Sequence, residues 1–124
     1  MNFNLISWLY RNDSREEILN FALKTFRDKY FDNNTTFQRL KRRYPSIPIQ
    51  TIETYVQECE KANTYGVEWI QAAATKETKP KKLGNNNKLR RHFNEIMIEQ
   101  FPWVGKSNLS SIYSWTCHGL LFDD

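Results

Sequence analysis

An all-α protein, a compact single-domain bundle of five or six helices with one long basic loop, is the fold class that the sequence predicts. Three observations carry the prediction. Apolar residues recur at three- and four-residue steps in five separate stretches. Prolines and asparagine clusters punctuate those stretches. No stretch alternates polar and apolar residues between hairpin turns, as a sheet would require. The 124 residues suit one domain, 1–124, and 4 Trp, 6 Tyr and 8 Phe give its core large apolar areas.

The first helix, expected over 14–31, opens at Ser14-Arg15-Glu16-Glu17. This is a capping box, in which the Ser14 hydroxyl takes the Glu17 amide and the Glu17 carboxylate returns to the Ser14 amide. Ile18, Leu19, Ala22, Leu23, Phe26 and Tyr30 then share one face, and Asp32-Asn33-Asn34 stops it. Upstream, Phe3, Leu5, Ile6, Trp8, Leu9 and Tyr10 read as a short helix, with a strand as the alternative, because so short a run does not decide by period. Thr35 or Thr36 caps a second helix, 36–44, with Phe37, Leu40 and Tyr44 on one side. Tyr44-Pro45 ends it, since a residue before proline avoids the α region.

Pro48 suits the first turn of a third helix, 48–62, whose stripe is Ile49, Ile52, Tyr55, Val56 and Cys59. The period continues through Asn63, Val67, Ile70 and Ala74. Gly66, about 1 kcal/mol worse than Ala in a helix, predicts a kink or break near Asn63–Gly66. Residues 76–87 lose the apolar period apart from Leu83 and read as a mobile basic connection. Leu89, Phe93, Ile96, Met97 and Phe101 predict a helix over 88–100, ending before Pro102. Leu109, Ile112, Tyr113, Thr116, Cys117 and Leu120 predict another over 108–118, capped by Ser107 or Asn108 and ended by Gly119.

Positive charge is concentrated in one place. Lys76, Lys79, Lys81, Lys82, Lys88, Arg90 and Arg91 stand against the single acid Glu77, whereas residues 1–75 are nearly balanced and 93–124 are acidic. Such a patch suits phosphate or an acidic protein surface. No aromatic residue lies between Lys76 and Arg91, which counts against a groove that stacks bases. No run approaches the ~18 apolar residues of a membrane span. The N-terminus lacks a basic region followed by a small-residue cleavage site, so a cytoplasmic protein is expected. Cys59 and Cys117 fall on apolar stripes and read as reduced and buried.

Catalysis has little support. His92 and His118 are the only histidines, and His118 and Cys117, adjacent on a helix, point about 100° apart. No phosphate-binding glycine loop, dinucleotide fingerprint or zinc-protease motif is present, and no cofactor or metal is expected. The segment between Thr36 and Lys61 resembles a helix-turn-helix, whose second helix would present Gln50, Thr51, Glu53, Thr54, Gln57 and Glu58, but its glutamates would face a polyanion. Gly105 to Gly119 is a weaker version of the same pattern.

The leading expectation is a small non-enzymatic binding protein that neutralises or regulates a protein partner, in the manner of an immunity protein or an antitoxin acting on a toxin. Its interface would use Glu53, Glu58 and Glu60 with Trp69, Trp103 and Trp115, aromatic residues of the type that anchors interfaces. The alternative is a nucleic-acid-binding protein using the hairpin and a basic patch of Lys79, Lys81, Lys82, Lys88, Arg90 and Arg91. The Asn- and Lys-rich composition is associated with AT-rich bacterial accessory or phage genes.

Overall fold

The computed structural model describes residues 13–29, 31–76 and 86–122, except for the side chains of 75, 76 and 120–122. The protein is all-α: the described residues form five helices and no strand. These are α1 (Arg15–Asp28), α2 (Asn33–Arg43), α3 (Ile49–Lys76), α4 (Asn87–Gln100) and α5 (Lys106–Phe122). The chain groups into two units, Met1–Glu60 and Lys61–Asp124, and α3 runs from one into the other. Residues 3–10, read as a short helix, and 77–85 of the basic connection lie outside the described residues.

In the first unit the capping box at Ser14 forms as expected, with Glu17 N to Ser14 Oγ at 3.2 Å and Ser14 N to Glu17 Oε1 at 3.3 Å. Ile18, Leu19, Ala22, Leu23 and Phe26 of α1 are buried, together with Leu40, Tyr44, Ile52, Val56 and Cys59. The end of α1 comes at Asp28, three residues before the expected limit. Phe31 N donates to Phe26 O at 2.8 Å, the six-to-one bond of a Schellman ending, and the two rings meet edge-on at 5.5 Å. Phe31 holds φ 63°, a strained value for an aromatic residue, and this ring contact together with Arg27 5.6 Å over the ring offsets the strain.

Asp32 both stops α1 and caps α2, accepting from Asn34 N at 3.0 Å and Thr35 Oγ1 at 2.7 Å. The expected caps, Thr35 or Thr36, both lie inside the helix, and Thr36 is a buried residue whose hydroxyl donates back to Asp32 O. Tyr44 closes α2 with ψ 68°, as its place before Pro45 requires. Its hydroxyl donates to Asp13 Oδ2 at 2.7 Å, and Arg43 lies 4.3 Å over the Phe21 ring.

In the second unit α3 continues past Gly66 without the expected break. A Cβ at Gly66 would lie 3.1 Å from Ile112 Cγ2 and 3.4 Å from Met97 Cε, so the missing side chain admits α4 and α5 to the helix. Phe101, before Pro102, ends α4 as expected. Gly105 O accepts from Leu109 N, so α5 starts at Lys106, ahead of the expected Ser107 or Asn108 cap, and Gly119 lies within the helix. The core is Ala62, Ile70, Leu89, Phe93, Met97, Trp103, Val104, Leu109, Ile112, Tyr113 and Cys117.

Candidate functional site

Of the described residues of the basic patch, Lys76 ends α3 and the rest sit on the N-terminal half of α4. Asn86 caps the helix, its side chain accepting from Leu89 N at 3.0 Å. Lys88 and Arg91 are exposed, while Arg90 turns toward α5. The five-residue turn 101–105 makes α4 and α5 antiparallel neighbours, which brings Phe93 to Tyr113 at 5.5 Å and Arg90 to Ser114. Arg90 Nη2 donates to Ser114 Oγ at 3.1 Å, and the guanidinium lies 5.0 Å over the Tyr113 ring. Arg90 Nε is buried with no acceptor among the described residues. Arg90 is thus a charge fixed in position by the core beneath it. Burial pushes the Tyr113 hydroxyl up to about 12, against the pull of the Arg90 charge, and burial raises the Cys117 thiol as well.

These charges oppose their own helix. The first turn of α4 has no acid and the last turn no base, while Lys88, Arg90 and Arg91 precede Glu95 and Glu99. A helix N-terminus carries about half a positive charge, which disfavours cations there. The arrangement concentrates positive potential at one end of α4 and costs helix stability.

The four tryptophans have separate fates. Trp8 lies outside the described residues. Trp69 is half-buried, with His92 edge-on at 5.4 Å and Phe93 at 5.8 Å. Trp103 is 6% exposed and belongs to the core, so it offers almost no surface. Trp115 is 68% exposed on the outward face of α5, beside Ser114. Its described ring contact is edge-on, with His118 at 6.2 Å and 84°.

The three glutamates do not share one face. Glu53 and Glu60 are exposed seven residues apart on α3, within about 20° of each other around the helix, whereas Glu58 is half-buried and about 140° from Glu53. Glu60 Oε2 accepts from Asn33 Nδ2 at 2.7 Å. In the hairpin of α2 and α3, Gln50, Glu53, Thr54 and Gln57 are exposed, and Thr54 Oγ1 donates to Gln50 O. Lys79, Lys81 and Lys82 lie outside the described residues.

Sequence reasoning placed the charge but missed the contact between Arg90 and Ser114. The signal available was the short turn at 101–105, which pairs the start of α4 with the later part of α5. Among the described residues no three His, Cys, Asp or Glu side chains are placed to hold a metal ion. No helix among them is long and apolar enough to cross a membrane. Compared with known proteins, the chain matches no family model, no curated protein and no solved structure.

Proposed function

We propose that the protein is a non-enzymatic nucleic-acid-binding protein that meets phosphate with the N-terminal half of α4. The observation that carries this reading is the placement of Lys88 and Arg90 in the first turn of α4, where its dipole is already positive, with Arg91 directly after them. Charges so placed weaken the helix but strengthen its attraction for a polyanion. Chain continuity with the basic run from Lys76 supplies more of the same sign. The test is affinity for heparin and for a short DNA duplex at two salt concentrations. Affinity should fall steeply with salt. Lys88→Ala with Arg91→Ala should reduce the log–log slope by about 0.9 for each phosphate that is no longer neutralised. A protein that binds neither polyanion at low salt does not have this function.

The exposed stripe of Ile49, Glu53, Gln57 and Glu60 on α3 supports a second reading, with Ile49 itself 50% exposed. Here the protein neutralises or regulates a protein partner that presents a basic surface, as an immunity or antitoxin-like inhibitor does. Charge reversal at Glu53 and Glu60 would then slow association with a co-purifying partner, because rim charges act mainly on encounter. Unchanged association kinetics would remove this reading.

A further inference from the structure

We infer that α4 is a reading helix that lies in the major groove of duplex DNA and recognises base pairs with Asn87, Arg91, Asn94 and Ile98. This inference rests on the nucleic-acid reading above and names its ligand class.

The four residues recur at steps of four, three and four, so at about 100° per residue they fall within about 60° of one another around α4. The centre of this stripe lies about 130° from that of the buried Leu89, Phe93 and Met97. Asn87 and Arg91 are exposed, Asn94 is half-buried and Ile98 is 52% exposed. Among the described residues no hydrogen bond or ion pair engages the side chains of Asn87, Arg91 or Asn94. These are side chains that read base edges. Asn makes paired hydrogen bonds with adenine, Arg makes them with guanine, and an apolar group meets the thymine methyl. Cations flank the stripe on both sides, as the two phosphate strands of a groove require. Lys88 stands about 90° to one side, and Arg90, fixed by Ser114 and the Tyr113 ring, about 70° to the other. A major groove about 12 Å wide admits one such helix. Glu95 and Glu99 follow on the Lys88 side and repel phosphate, so the N-terminal half leads into the groove, as it does in other reading helices. The turn 101–105 sets the start of α5 beside this acidic end, which makes α4 the better reader of the two.

From Asn87 to Ile98 the stripe rises about 16.5 Å, the length of about five base pairs. The experiment selects tight binders of the full chain from a pool of random DNA duplexes. Anisotropy is then measured on a labelled selected duplex, its scrambled counterpart and an RNA duplex of the selected sequence, with poly-glutamate as competitor. A shared sequence of about five base pairs should emerge, bound more tightly than the scrambled one. Asn87→Ala and Asn94→Ala change no charge. Each should lose about 5- to 150-fold on the selected duplex, the range of one paired base contact, and far less on the scrambled duplex. Lys88→Ala should weaken both duplexes alike. Ser107→Ala, at the start of α5, should change neither.

If no shared sequence emerges, or if the two asparagine variants lose equally on both duplexes, the reading role of α4 is overturned while the nucleic-acid reading stays intact. A shared sequence whose affinity survives both changes would place the reader elsewhere and overturn it as well. Equal affinity for the RNA duplex would do the same, because its deep, narrow major groove is closed to side chains. Poly-glutamate that competes as well as the selected duplex at equal charge would overturn it in favour of an acidic protein ligand. Binding to no nucleic acid at low salt would overturn the inference and the reading together. Both asparagines lie outside the buried core, so their removal leaves it in place, and a thermal melt no lower than the parent's verifies this for each variant.

Discussion

A methyl group at Gly66 would press on Ile112 Cγ2 and meet Met97 Cε and Sδ. Met97 can yield, but Ile112 is fully buried and stiff at its branched carbon. Gly66→Ala therefore gains about 1 kcal/mol of helix propensity and loses a similar amount in crowding, ending close to neutral. Gly66→Leu has no such balance and should cost about 2 kcal/mol or more, read from urea midpoints. A neutral Gly66→Leu would show that the approach is not tight. Cys59 is confined in a different way. Its thiol is fully buried, lies 3.5 Å from Leu19 O, and is pushed by desolvation from 9.0 up to about 12. The unfolded chain therefore loses this proton first as pH rises. Stability contributed by Cys59 is present below pH 9 and is lost between about pH 9 and 12. Tyr113, raised from 10.0 to about 12, adds to the same decline. Urea midpoints should hold steady up to about pH 9 and fall above it; a midpoint that rises there would contradict the burial of both groups.

At the scale of the element, the caps carry the argument. Ser14→Ala removes one half of the capping box on α1 and should cost about 1 kcal/mol, measured by thermal or urea denaturation. Asp32 is held below its usual value by hydrogen bonds from Thr35 and Asn34, so its cap on α2 is intact above pH 3.8 and is lost as pH falls through the depressed value. The carboxyl resonance of Asp32 should titrate below 3.8 by NMR, and Asp32→Ala should lower the melting temperature. What the sequence discloses follows from this locality. The box at Ser14 is written within four residues and is legible directly. Asp32 reads as a stop only, because its second role depends on which of several polar neighbours turns its hydroxyl inward, and Thr36 does so by burial. Gly66 resembles a break because nothing near it in sequence announces Ile112, forty-six residues later. Trp103 resembles surface because a turn between Pro102 and Gly105 is usually solvated, whereas this one folds into the core of its unit. The basic charge of the candidate site is plain in the sequence, but its pairing with Ser114 arises only from the packing of α4 against α5.

For the whole molecule, the two described basic clusters stand in opposite relations to the helices that carry them. In the first unit Lys41, Arg42 and Arg43 occupy the last turn of α2, where cations complement the dipole, each typically by about 0.3–1 kcal/mol. In the second unit Lys88 and Arg90 lie in the first turn of α4, where they oppose it, and Arg91 follows them. Similar residues should therefore answer neutralisation in opposite ways. Lys41→Ala with Arg42→Ala should lower the melting temperature and leave most oligonucleotide affinity in place. Lys88→Ala with Arg91→Ala should leave the melting temperature unchanged or raise it, because an unfavourable interaction is relieved and Ala is the best helix former, while affinity and salt slope both fall. A function that depends on charges unfavourable to folding predicts this gain in stability when the function is removed. Paired melts and binding isotherms on the two double variants measure both axes together. If both variants lose affinity equally, phosphate is met over the whole surface and not at α4. If the α4 variant melts lower than the parent, those charges serve the fold, and the physical reason for assigning them to a ligand is gone.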